Sequence, residues 1–218
     1  MLAPFIYSPP DGPISIIHRD ADILVLDKPS GLLTVPGKHE DHADCLERRA
    51  RAEFPEARIV HRLDMDTSGV IVLAMNAVAH RHLGLQFERR HVAKSYIAEV
   101  WGIIKESTGD IDLPLRCDWP NRPRQMVDFE DGRNAETHWR VLDRKTHTTR
   151  VALHPKTGRS HQLRVHMLET GHPILGDNLY APTEALRAAN RLHLHAESLE
   201  LHHPSGGERV TFNSPCPF

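Results

Sequence analysis

The stretch His61-Arg62-Leu63-Asp64-Met65-Asp66-Thr67-Ser68-Gly69, continued by Val70-Ile71-Val72-Leu73-Ala74, sets charges, hydroxyls and a glycine directly in front of an apolar run. A short run of that composition reads as a strand buried on both faces or nearly so. Asp64 then lies near the core. Burying an ionised carboxylate is costly unless a cation and hydrogen bonds replace its water. Arg62, two residues earlier, shares a face with Asp64 if the segment is extended, and so offers that cation. The other reading of Asp64 is an acid that closes a turn, with Arg62 as a surface ion pair. Asp66 suits a turn better, because Asp-Thr-Ser-Gly is turn chemistry and its side chain can accept from the amides that follow. Spacing alone does not choose between the two aspartates for a catalytic role.

At 218 residues and 24.7 kDa the chain can bury a full core, as one domain or as two lobes about a central cleft. No stretch reads as a signal peptide, and no apolar run approaches the ~20 residues of a membrane span, so a cytoplasmic protein is expected. Cys45, Cys117 and Cys216 lie far apart with no paired spacing, which predicts free thiols rather than a zinc site. The net charge of −2 and pI near 6.8 do not mark a nucleic-acid binder, but the distribution is uneven. Residues 1–45 hold seven acids against three bases. Residues 81–94 carry Arg81, Arg89, Arg90 and Lys94 against Glu88 alone, and 154–166 carries Lys156, Arg159 and Arg164 with no acid. Sharing a face, these stretches could supply phosphate contacts; taken singly, each reads as a solvated surface.

Along the chain, a proline-rich arm (Pro4, Pro9, Pro10, Pro13) precedes strand signal from Ile14 to Leu26, broken near Arg19-Asp20, and a turn at Lys28-Pro29-Ser30-Gly31. A helix is expected over 44–54, ended by Pro55, then the motif strand over 59–75 and an amphipathic helix over 77–90 striped by Leu83 and Phe87. A strand follows over 94–102, then a proline-rich loop or lid over 112–126. Strands over 135–143 and 148–154 precede a Gly158 turn and a helix over about 160–170, which Gly171 ends. Strands over 192–201 and 208–213 complete an α+β fold with a mostly antiparallel, bent mixed sheet flanked by helices and loops. Among the seventeen histidines, His193 and His195 share a strand face in workable ligand geometry, but no carboxylate trio completes a site, and no metal is expected.

The pattern His61-Arg62-Leu63-Asp64, with Thr67-Ser68-Gly69, resembles the catalytic motif of the RluA-type pseudouridine synthases. Further matches follow in order: Lys28-Pro29-Ser30-Gly31-Leu32-Leu33 with Val35-Pro36-Gly37; Lys94-Ser95-Tyr96-Ile97-Ala98; and Gly158-Arg159-Ser160-His161-Gln162-Leu163-Arg164-Val165-His166. Pro173-Ile174-Leu175-Gly176-Asp177 and Leu192-His193-Leu194-His195-Ala196 complete the set. Any one is weak; the ordered set is specific. The resemblance implies a pseudouridine synthase catalytic fold without the separate N-terminal RNA-binding domain that larger relatives carry. It implies isomerisation of uridine to pseudouridine in structured RNA, with no cofactor. It puts Asp64 in the place of the nucleophile, Arg62 as the group that displaces or positions the target nucleotide, and Tyr96 as its stacking partner. Arg164 would be the buried ionic partner of Asp64, and Ile174 and Leu175 part of the floor beneath the uracil.

Size and Cys117-Asp118-Trp119-Pro120-Asn121-Arg122-Pro123 look most like the family's dual-specificity branch, which modifies 23S rRNA and the tRNA anticodon stem-loop. A monomer is expected. Trp119, Arg122 and Arg124 in the lid combine stacking with charge, either as an RNA contact or as ordinary surface. Lys28 either orients the active-site loop or touches phosphate. Two other classes compete: a metal-dependent phosphohydrolase using Asp64, Asp66 and histidines, and a catalytically silent RNA-binding module.

Overall fold

The apolar run behind the Asp64 motif lies in the middle of the main sheet. The computed structural model describes residues 6–218, so Pro4 of the N-terminal arm lies outside the described residues. In chain order the elements are β1 (Ser15–Arg19), β2 (Ile23–Lys28), α1 (Leu46–Glu53), β3 (Arg58–Ile59), β4 (Ser68–Ala74) and α2 (Ala77–Glu88). Then come β5 (Ala93–Trp101), β6 (Thr108–Asp112), β7 (Leu115–Cys117), β8 (Gln125–Val127), β9 (Glu136–Arg144) and β10 (Thr148–Pro155). The chain ends with α3 (Gln162–Glu169), α4 (Thr183–Arg187), β11 (Leu194–His202) and β12 (Arg209–Asn213). The main sheet runs β1-β2-β4-β11-β5-β10-β9-β6, with β12 on β11 and β3 on β4, while β7 and β8 form a separate hairpin. The fold is α+β and mostly antiparallel. Among the described residues, only β4 and β11 pair in parallel, through Ser68 with His195 and Gly69 with Ala196.

β4 is buried at every position, as its composition requires. Ile71 and Leu73 pack with Leu24, Leu26 and the α1 residues Leu46 and Ala50. Val70, Val72 and Ala74 pack with Ile23, Val25 and the α2 residues Ala79 and Leu83. The period-two alternation thus sends successive side chains into two different cores. Each large aliphatic side chain so buried contributes roughly 1.5–3 kcal/mol. α2 starts where Asn76 Oδ1 accepts from the Ala79 amide at 2.8 Å. A third cluster joins β5, β10 and β11 to α3, through Ala98, Val100, Leu153, Leu163, Met167 and Leu194.

The expected strand over 59–75 is interrupted. Residues 60–67 leave the sheet because their backbone groups find partners outside any ladder. Thr34 Oγ1 donates to the Leu63 carbonyl at 2.7 Å and accepts from the Leu63 amide at 3.2 Å. Ser30 Oγ donates to the Asp66 carbonyl at 2.7 Å, and the Thr67 amide closes a turn onto the Asp64 carbonyl at 3.2 Å. Lys28 is fully buried, and its Nζ donates to the carbonyls of Pro29, Leu32 and Met65 at 2.9, 2.7 and 2.8 Å. The lysine therefore orients the loop and does not reach phosphate. Burial pulls its pKa down to about 7, against the pull of Asp66 and Asp64.

Other boundaries shift less. The 112–126 lid contains the β7–β8 hairpin, and β11 starts at Leu194 rather than at 192. β6 and α4 arise where no strand or helix signal was read. All three cysteines are free, as expected.

Two changes test this framework. Lys28→Met keeps the volume but leaves three carbonyls without a charged donor, so urea unfolding should show a loss of about 2 kcal/mol or more. Gly69 has φ +109°, and a Cβ there would lie 2.1 Å from the Ala196 carbonyl oxygen. Gly69→Ala must therefore separate β4 from β11, and unfolding should report a cost above about 2 kcal/mol.

Candidate active site

Asp64 stands on the loop before β4, facing α3 from the other half of the sheet. α3 is fixed at its start by Gln162, whose Oε1 accepts from Thr157 Oγ1 at 2.7 Å and from the Arg159 amide at 3.0 Å. Leu163, Val165 and Met167 are buried, and so is Arg164, at 3% exposure. A buried guanidinium needs an anion, and the closest is Asp177. Arg164 Nε and Nη2 donate to its two carboxylate oxygens at 2.8 and 2.6 Å, a bidentate pair with Asp177 itself only 1% exposed. Asp177 also accepts from the amides of Leu179 and Tyr180. The remaining guanidinium nitrogen, Nη1, lies 3.7 Å from Asp64 Oδ2.

The expected Arg164–Asp64 ion pair forms, but it is neither fully buried nor the arginine's tightest pair. Asp64 is a looser second partner whose side chain is 27% exposed, and Asp177 holds the arginine. Burial works against the charge of Arg164, but Asp177 and then Asp64 outweigh it and keep its pKa raised.

Tyr96 on β5 packs between two hydrophobic clusters, one on the Asp64 side and one on the α3 side. Burial, followed by the nearby Asp64 carboxylate, pushes its pKa well above the ordinary value, so the phenol keeps its proton. Ile174 and Leu175 are buried at 1% and 3%, pinned to β5 and to the start of β11: the Leu175 amide donates to Glu99 and its carbonyl accepts from His193. His161 adds a group missed as a site residue, with Nε2 4.0 Å from Asp64 Oδ1. Tyr180 Oη accepts from the Gln125 amide at 2.7 Å and bonds His161 Nδ1, also at 2.7 Å. Burial lowers the pKa of His161, against the pull of Asp64, and favours the neutral ring. Arg164 lies 5.2 Å from the centroid of the Tyr180 ring.

Arg62 is exposed and has no hydrogen bond or ion pair among the described residues, so it does not neutralise Asp64 as an extended segment would require. Asp66 is tied to Asn178, whose Nδ2 donates to its Oδ2 at 3.2 Å, and burial raises its pKa. Behind this contact opens a cleft of about 820 Å³, bordered by Lys28, Ser30, Asp66, Ser68, Arg191 and His195. Asp64, Tyr96 and Arg164 do not line it. The two basic stretches meet where Lys94 Nζ donates to the Thr157 carbonyl at 3.0 Å. In the lid, Trp119 is 65% exposed with the Arg122 guanidinium 4.8 Å from its ring centroid, whereas Arg124 turns onto the Tyr180 ring.

His193 Nδ1 bonds Glu99 at 3.0 Å, and His195 bonds Ser68 and Ser214, so neither is left as a free ligand. A side-chain group with ligand spacing for an ion is Asp20, Asp22 and His203, which shares no residue with the Asp64 site.

A family model described as RNA pseudouridylate synthase matches residues 22–169. The dual-specificity RNA pseudouridine synthase RluA of Salmonella typhi is 52% identical over 214 residues, 97% of this chain and 98% of that protein. Its counterpart from Escherichia coli (strain K12) is 51% identical over 214 residues, with the same coverage. Among solved structures, Human RNA Pseudouridylate Synthase Domain Containing 1 superposes with a TM-score of 0.78 at 30% identity, covering 100% of this chain and 87% of that one. The chain therefore belongs to the RNA pseudouridylate synthase family, enzymes that isomerise uridine to pseudouridine in RNA.

Proposed function

We propose that the chain modifies uridines in both 23S rRNA and the tRNA anticodon stem-loop, acting as a cytoplasmic monomer with Asp64 as its catalytic carboxylate. The observation that carries the assignment is the position of Asp64. It is partly exposed and 3.7 Å from an arginine already neutralised by Asp177. Such a carboxylate keeps lone pairs free for a substrate. In the reaction the bond from ribose C1′ to uracil N1 breaks, the base turns, and C1′ bonds to C5. C5 loses a proton and N1 gains one, so no redox group takes part. Asp64 serves as nucleophile or base.

Tyr96 holds the base by stacking, an interaction worth roughly 1–3 kcal/mol. Ile174 and Leu175 form the apolar floor. Arg62, exposed and unpaired among the described residues, meets the RNA and helps hold the target nucleotide out of its stack. Extrusion costs least in a loop, which makes a hairpin-loop uridine the substrate. Trp119 with Arg122 gives the lid a stacking face for an unpaired base.

Incubation with unmodified tRNA and 23S transcripts, followed by pseudouridine mapping, tests the reading. Wild type should modify both and Asp64→Asn neither; full activity in the mutant ends the Asp64 assignment, and product in one RNA alone ends dual specificity. Activity that survives a chelator excludes the phosphohydrolase alternative. Asp177→Asn should lower kcat on the order of 10- to 100-fold, because Arg164 then turns toward Asp64 and the geometry shifts. Trp119→Ala should raise KM for RNA about 10-fold with kcat unchanged, as read from steady-state kinetics.

A further inference from the structure

The parallel contact between β4 and β11 is closed by side chains outside the set that faces Asp64. Ser68, four residues after Asp64, is 4% exposed, and His195, its partner across the strands, is 1% exposed. Arg191 Nη2 donates to Ser68 Oγ at 2.5 Å. Ser68 Oγ lies 2.9 Å from His195 Nδ1, and His195 Nε2 lies 3.0 Å from the Ser214 carbonyl oxygen. A carbonyl can only accept, so Nε2 carries the ring proton. In a neutral ring Nδ1 is then bare, and the Ser68 hydroxyl donates to it. Hydrogen-bond directions are thereby fixed from Arg191 through Ser68 and from His195 to the chain's last segment.

The contact has only two residue pairs, and Gly69 within it admits no side chain. Its left-hand neighbour in the sheet is β2, which with β4 holds the loop of Asp64; its right-hand neighbour is β5, which bears Tyr96. α3, with Arg164, packs on that same right-hand half. A slip at this seam therefore moves Asp64 against Tyr96 and Arg164 together.

We infer that Ser68, His195 and Arg191 are positioning residues for the isomerisation, a seam lock that sets the Asp64 loop against the half of the site carrying Tyr96 and Arg164. The inference rests on the assignment of Asp64. The lock requires a neutral His195. Asp27 on β2, Arg191 and Glu197 on β11 face this ring besides the Ser214 carbonyl, and burial, the largest influence, lowers its pKa. When the ring takes a second proton, Nδ1 becomes a donor, the Ser68 hydroxyl loses its acceptor, and a cation stands beside Arg191.

Steady-state kinetics on a substrate stem-loop decide the matter, with Asp64→Asn run in parallel. His195→Ala and Ser68→Ala should each lower kcat on the order of 10- to 100-fold, the scale of a misplaced catalytic group, with KM changed less than about 2-fold. The double variant should lose less than the two single losses combined, since both remove the Ser68–His195 bond. His195→Asn keeps an acceptor in place of Nδ1 without a titrating ring. It should restore kcat to within about 3-fold and flatten the acid-side fall in kcat expected of wild type below the ordinary histidine range. Unchanged kcat in His195→Ala, additive losses, or a loss confined to KM overturns the inference. If His195→Ala does not fold, His195→Asn decides alone: an acid fall like that of wild type overturns the lock, and a flattened one supports it. Activity in Asp64→Asn overturns the catalytic assignment instead, and the two failures are read separately.

Discussion

A parallel contact two residue pairs long holds the two halves of this molecule in register. On one side stand β1, β2 and β4 with the loop of Asp64; on the other stand β11, β5, β10 and β9 with Tyr96 and α3. Apolar clusters fill each half, and one of them, in which Val70, Val72 and Ala74 pack with Leu199 and Leu201, crosses the seam. The alignment of the halves is a separate matter, which burial alone does not fix because apolar packing is not directional. It falls to the close approach of Gly69 and Ala196 and to the directed hydrogen bonds around Ser68.

The charge arrangement follows the same division. Had Asp64 been the bidentate partner of Arg164, both its oxygens would face the guanidinium and little would remain for a substrate. Asp177 takes that role instead, with its leftover capacity filled by the Leu179 and Tyr180 amides. Arg164 is thereby rigid before any ligand arrives, and Asp64 feels its charge without being consumed by it. Preorganised charge of this kind needs no rearrangement when a reaction develops charge beside it.

The fold was legible where apolar period and turn residues agreed: β4, α2, the β9–β10 pair and α3 all follow from their patterns. The motif strand was read too long because His61 to Thr67 has strand-like content, and nothing local reveals that Thr34, Ser30 and Lys28 bind its backbone from about thirty residues away. β6 (Thr-Gly-Asp-Ile-Asp) carries a glycine and two acids and lacks strand propensity; it exists because β9 offers an edge. In the site, Asp64 and Arg164 were legible as types, but their separation was not. Asp177 hid at the end of an apolar motif read only as a floor, although an acid next to two apolar residues was a signal that a buried cation had a partner. Tyr180 and its bond to His161 depend on a loop whose path the sequence does not encode locally.

The complete burial of Lys28 carries one more consequence. An ammonium sealed behind three carbonyls is out of reach of counterions and of RNA phosphates alike. The cations open to solvent, and so to phosphates, are exposed ones such as Arg81, Arg89 and Arg90, whose interactions weaken as salt rises. The cation that shapes the loop of Asp64 is shielded from that screening. Ionic strength can therefore change how tightly RNA is captured while leaving the geometry that acts on it untouched.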